Sequence, residues 1–175
     1  MMLKKLLFVI IALHTISTTA QEQLLFTTDV INRLYKIDNI LYYSVHDIGI
    51  NFIDLNDPNF TPQTLTNTVL TPISMEYKND YLYVSDSNTN KVFKLDLSQT
   101  NPSPIDVFQI GTFPNDLLFL DDLLYFSVNN TNNIRVFDIT SGSTIPDVAF
   151  AVTGGPIGLE YKDNYIYVAS SSGDA

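Results

Sequence analysis

Cysteine and tryptophan are both absent from this 175-residue sequence, and it contains only 7 glycines, 2 histidines and 9 basic residues. Without cysteine there are no disulfides, no thiol catalysis, no Cys-ligated zinc, no iron–sulfur cluster and no lipid-anchored N-terminal Cys. An exported chain of this kind has to rely on its apolar core, and 45% hydrophobic residues with 10 Tyr and 11 Phe supply the material. The shortage of positive charge is equally informative. Nine Lys and Arg stand against 19 Asp and Glu, for a formal charge of −10. Such a surface repels phosphate backbones and anionic lipids, which argues against nucleic acid as a partner. No nucleophile-elbow serine, phosphate-cradling glycine loop or paired-histidine zinc motif occurs.

Long hydrophobic runs are scarce too. One stands at the N-terminus, where Lys4 and Lys5 precede the apolar stretch Leu6–Leu13 and Thr18-Thr19-Ala20 supplies small residues before Gln21. That is the pattern of a cleaved secretory signal peptide over residues 1–20. The run is too short to cross a bilayer, which takes about 20 apolar residues, and no later segment forms a membrane span. Cleavage after Ala20 removes two lysines, leaving 7 basic and 19 acidic residues and a formal charge of −12. The expected location is outside the cytoplasm: secreted, periplasmic or at the cell surface.

What the sequence does have is a repeat. Leu41-Tyr42-Tyr43-Ser44, Leu82-Tyr83-Val84-Ser85, Leu124-Tyr125-Phe126-Ser127 and Ile166-Tyr167-Val168-Ala169 recur at steps of 41, 42 and 42 residues. Pro72, Pro114 and Pro156 keep the 42-residue step, as do Asp54, Asp96 and Asp138. A turn pair precedes each tyrosine motif: Asp38-Asn39, Asn79-Asp80, Asp121-Asp122 and Asp163-Asn164. In the second copy, Ile73–Tyr77, Tyr81–Ser85, Val92–Leu95 and Asp106–Ile110 read as four short strands joined by tight turns. Asp96 is expected to end its strand by accepting backbone N–H bonds from the next turn. A repeated four-stranded meander of about 40 residues predicts an all-β propeller of antiparallel blades. The blades run over approximately 29–70, 71–112, 113–154 and a partial 155–175, with Leu24–Thr28 as a candidate closing outer strand. About three and a half blades do not close a ring. A fragment of a longer protein is therefore expected, with a partner supplying the rest as the alternative.

The pattern Pro-x-x-Leu/Met, a turn, then Leu82 through Asp96 (LYVSDSNTNKVFKLD) resembles NHL and YVTN-type propeller repeats. The missing tryptophan and the scarcity of paired glycines separate it from WD40, YWTD and kelch blades. The resemblance implies fold rather than function, because such propellers host scaffolds, ligand binders and a few enzymes.

Blade topology predicts where a site would lie. The start of strand one, the second turn and the end of strand four share one edge, and there the sequence collects His46 and Asp47, Asp86, Asn88 and Asn90, Asn129 to Asn133, and Ser170 to Asp174. The same edge holds the entries of the innermost strands at Asn32/Arg33, Ile73/Ser74, Asn115/Asp116 and Ile157/Gly158. Arg33, Ser74, Asn115 and Asp116 are the candidate ligand-binding residues, since polar departures from repeat siblings are not explained by the blade. Asn115 and Asp116 are the candidate oxygen donors if Ca²⁺ binds. Glu76 and Glu160, two periods apart, read as a structural repeat position, and His46 lacks a catalytic partner. Asn59-Phe60-Thr61 and Asn129-Asn130-Thr131 are glycosylation sequons.

The expected function is a non-catalytic extracytoplasmic binding or interaction propeller whose polar loop face meets a protein, glycan or small ligand. Two alternatives stand beside it: a Ca²⁺-dependent hydrolase similar to gluconolactonase-like propellers, and a module of a larger cell-surface adhesin.

Overall fold

A computed structural model describes residues 30–69 and 71–171. The signal-peptide expectation and the candidate strand Leu24–Thr28 lie outside the described residues. From Ile31 on the chain forms a compact unit of its own.

Among the described residues fourteen strands form four separate antiparallel sheets, each with its strands paired in chain order. Blade one holds β1 (Ile31–Ile37), β2 (Ile40–Val45), β3 (Gly49–Asp54) and β4 (Gln63–Thr66). Blade two holds β5 (Pro72–Lys78), β6 (Tyr81–Asp86), β7 (Lys91–Asp96) and β8 (Ile105–Gln109). Blade three holds β9 (Leu117–Leu120), β10 (Leu123–Val128), β11 (Asn133–Asp138) and β12 (Asp147–Ala151). β13 (Pro156–Lys162) and β14 (Tyr165–Ser170) begin a fourth. Each tyrosine motif occupies the second strand of its own sheet. The fold is an all-β, incomplete β-propeller with the predicted period. The only helical element among the described residues is a 3₁₀ turn at Asn129–Thr131.

The turn chemistry explains the register. Asn79 and Asp80 both take positive φ (51° and 63°), as do Asp163 and Asn164 (52° and 65°), which suits a two-residue hairpin. At the other two hairpins only the first residue, Asp38 or Asp121, has positive φ. The periodic aspartates act as expected. Asp54, Asp96 and Asp138 accept the backbone N–H of Asn56, Ser98 and Thr140 at 2.8, 3.0 and 2.8 Å. Each carboxylate thereby closes the turn that ends a third strand.

The core lies between blades rather than inside any one of them. Tyr42, Ile50 and Leu65 of blade one pack against Met75, Leu82, Val84, Phe93 and Leu95 of blade two. Tyr83, Val92 and Phe108 of blade two meet Leu117, Leu124, Phe126 and Phe137 of blade three. There the rings of Phe108 and Phe126 stack with centroids 4.9 Å apart, and Tyr83 meets Phe119 edge-on at 4.9 Å. A four-stranded sheet alone would leave such a face in water. Radial stacking removes it, which is why both faces of the strands are apolar.

Candidate functional site

The innermost strands β1, β5, β9 and β13 bring the repeat position of Arg33, Ser74, Asp116 and Gly158 toward a common axis. A shared backbone irregularity aims it. The first-to-second strand register slips between Ile31 and Arg33, Pro72 and Ser74, and Pro156 and Gly158. A bulge of this kind redirects the side chain that follows it. Pairing is then anchored by the serine of the tyrosine motif. Ser44, Ser85 and Ser127 hydroxyls accept the N–H of Arg33, Ser74 and Asp116 at 2.9, 3.0 and 3.0 Å. All three serines are fully buried, so the hydroxyl replaces a ladder bond that the bulge removes.

Three of the four predicted site residues come together. The Asp116 carboxylate is 5% exposed. Its Oδ1 accepts the Ser74 hydroxyl at 2.7 Å and lies 3.2 Å from the Arg33 guanidinium. Its Oδ2 accepts the Leu159 N–H at 2.8 Å. The Ser74 Oγ in turn accepts the Leu117 N–H at 3.2 Å. Side chains of blades one, two and three are thus tied, with the backbone of blade four, into one network centred on Asp116. Asn115 stands apart. Its amide donates to the Pro156 carbonyl at 3.3 Å, as Asn32 does to the Pro72 carbonyl at 2.9 Å. Those two asparagines pin neighbouring blades together.

One residue of this region escaped the sequence reading as a site member. Glu76 follows Ser74 by two residues on β5, and on a strand residues i and i+2 share a face. The Tyr35 hydroxyl donates to Glu76 Oε2 at 3.3 Å and accepts the Tyr77 N–H at 3.2 Å. Burial pushes the Glu76 carboxyl up to about 7, with the Tyr35 hydrogen bond and the Arg33 charge pulling the other way and Asp116 and Glu160 adding to the rise. The equivalent Glu160 is exposed. The alternation from Ser74 was the available signal, and identical repeat positions masked the difference in burial.

The donor set does not suit Ca²⁺. That ion takes 6–8 oxygen ligands, whereas both Asp116 oxygens already accept protein hydrogens and a guanidinium occupies the cation position beside Oδ1. Asn115, the second candidate donor, is committed to the Pro156 carbonyl. Among the described residues no three His, Cys, Asp or Glu side chains gather as a metal site would require.

Only part of the expected polar edge is exposed, and Ser172 to Asp174 lie outside the described residues. His46 and Asp47 are exposed at the β2–β3 turn, with His46 Nε2 3.6 Å from Asp47 Oδ2. Asn88 and Asn130 are exposed at the matching turns of blades two and three. Asp86 is different, being 1% exposed and accepting the N–H groups of Thr71 and Thr89 at 2.9 and 2.8 Å. Asn129 is half-buried, donates to Ser171 Oγ at 3.1 Å, and sits where a Cβ on Gly155 would come within 2.5 Å of it.

No family model and no curated protein matches the chain. Solved structures do. The computationally designed Ika4 protein is 17% identical with a TM-score of 0.64, over 89% of this chain and 96% of its own. A nidogen/laminin complex gives 15% identity and a TM-score of 0.62 over 75% of this chain and 51% of that one. Hsv2 of Kluyveromyces lactis gives 15% and 0.62 over 86% and 49%. The chain therefore spans about half the length of the last two. At such identities the likeness concerns the fold alone, and together with the sheets described above it defines the class as β-propeller.

Proposed function

We propose that the chain is a non-catalytic, extracytoplasmic interaction propeller of NHL/YVTN type that presents its polar loop edge to a protein, glycan or small ligand. The observation that carries this reading is the division of labour among polar groups. The buried ones near the axis are consumed by blade-to-blade hydrogen bonds, whereas His46, Asp47, Asn88 and Asn130 stand exposed at successive second-to-third strand turns on one edge. A hydrolytic centre needs a reactive group with an open approach. Both Asp116 oxygens are engaged by Ser74, Arg33 and Leu159, and among the described residues the exposed Asp47 is the ion-pair neighbour of His46.

The test sets this reading against the Ca²⁺-dependent hydrolase. Melting is followed with and without CaCl₂, and hydrolysis of a simple aldonolactone is followed in the same buffers. The proposal expects no calcium-dependent shift and no hydrolysis above buffer. A stabilisation by calcium that Asp116→Ala removes, accompanied by lactone hydrolysis, would overturn it.

A further inference from the structure

A second feature lies away from that loop edge, on the outer rim between blades one and two. Strand β4 and the loop between β7 and β8 enclose a groove of about 390 Å³. It continues into a neighbouring depression of about 290 Å³ that shares Thr64, Leu65 and Asn101. Its lining is in part apolar and aromatic: the half-buried Phe52 stands beside the buried Tyr42, with ring centroids 6.0 Å apart. Its walls carry three side-chain amides, Gln63, Gln99 and Asn101, all exposed. None of the residues that line it is charged. On a chain with 19 acidic residues that is a local exception to the overall surface.

The sibling blades differ at this place. The β6–β7 pairing puts Lys94 opposite Tyr83, where the β2–β3 pairing puts Phe52 opposite Tyr42 and the β10–β11 pairing puts Val136 opposite Tyr125. In blade two the Lys94 ammonium lies over the Tyr81 ring, 4.5 Å from its centroid. In blade one an aromatic ring stands in that slot and is half-buried. One of the amides is also local: Gln99 corresponds to Asp57 in blade one and to Ser141 in blade three, whereas Asn101 corresponds to Asn59 and Ser143. The blade fold therefore does not require Gln99.

An aromatic ring flanked by amides and hydroxyls, with no charge, matches the chemistry of a pyranose. The C–H face of the sugar packs on the ring, and neighbouring hydroxyls exchange hydrogen bonds with amides that both donate and accept. An added peptide strand fits less well. β4 has only four residues, and its pairing with β3 slips between Ile50 and Asn51, so it offers a short and irregular ladder. We infer that this groove is a binding site for a neutral oligosaccharide. It goes beyond the loop-edge reading and uses none of the same residues, so either can fail while the other stands.

The test is calorimetric titration of the full chain with neutral oligosaccharides of four to six residues (gluco-, manno-, xylo- and chito-series), with oligogalacturonate as the charged control. Saturable binding to a neutral series is expected, weakened about tenfold by Gln99→Ala or Gln63→Ala. Phe52→Lys, which installs the side chain of the sibling slot, is expected to abolish it while the melting transition remains cooperative. No saturable neutral binding up to about 10 mM, a preference for the charged control, or binding indifferent to Gln99→Ala and Gln63→Ala would each overturn the inference.

Discussion

Replacing Glu76 by glutamine removes an ionisation that the fold resists. The Glu76 carboxyl on axial strand β5 is pushed up to about 7, from an ordinary value of 4.5, and burial is the largest cause. The folded chain therefore keeps this proton to a higher pH than the unfolded chain does. It follows that the stability contributed by the protonated group is fully present below about pH 4.5 and is lost as pH rises through about 7. The full rise corresponds to about 3 kcal/mol at 1.36 kcal/mol per tenfold. Residual exposure to water reduces this to about 1–2 kcal/mol. Glutamine cannot ionise, yet its carbonyl still accepts the Tyr35 hydroxyl. Urea denaturation of the natural chain and of Glu76→Gln at pH 5 and pH 8 isolates the effect from the other carboxylates. The variant is expected to be about 1–2 kcal/mol more stable at pH 8, with a clearly smaller gain at pH 5. A variant that is less stable at pH 8, or equally shifted at both, would refute the reasoning.

Asp116→Ala should lower unfolding stability by about 3 kcal/mol in the same assay, because it strands the Leu159 N–H and leaves the Ser74 hydroxyl without its acceptor. Arg33→Ala should cost less, about 1 kcal/mol, since that guanidinium is 37% exposed. Ser85→Ala or Ser127→Ala should each cost about 1–2 kcal/mol by leaving a buried N–H unpaired, read as a lowered urea midpoint. Gly49→Ala should be worse, at about 3 kcal/mol or more. Its φ is +133° and a Cβ there would sit 2.2 Å from the Thr66 carbonyl oxygen, so thermal melting should show a large loss.

The blade architecture was legible because its determinants are local and repeat. Turn pairs such as Asn79-Asp80 take the backbone angles their side chains favour, and Asp96 closes its turn with a carboxylate two residues from the N–H it binds. Asp116 and Arg33 were legible as departures from their siblings at one repeat position. Their pairing was not, because it joins non-adjacent blades one and three and depends on how strongly the sheets curve about the axis. The motif serines were visible but mute. Nothing in Leu-Tyr-Val-Ser announces that its hydroxyl serves an N–H freed by a bulge on another strand. Glu76 and Glu160 show the converse limit: one repeat position, yet Glu76 lies under Tyr35 while Glu160 faces water. The groove beside Phe52 belongs to the same class, since it needs β4 and the β7–β8 loop to be brought together.

Side chains near the axis act as grips between successive blades, and amide hydrogen exchange at two positions tests this directly. The Leu117 and Leu159 N–H groups donate to Ser74 Oγ and Asp116 Oδ2, so both should exchange slowly. Ser74→Ala should release Leu117, and Asp116→Ala should release Leu159, while amides within β6 and β10 stay protected. Fast exchange of both amides in the unmodified chain, at the rate of the exposed turn amides, would contradict it.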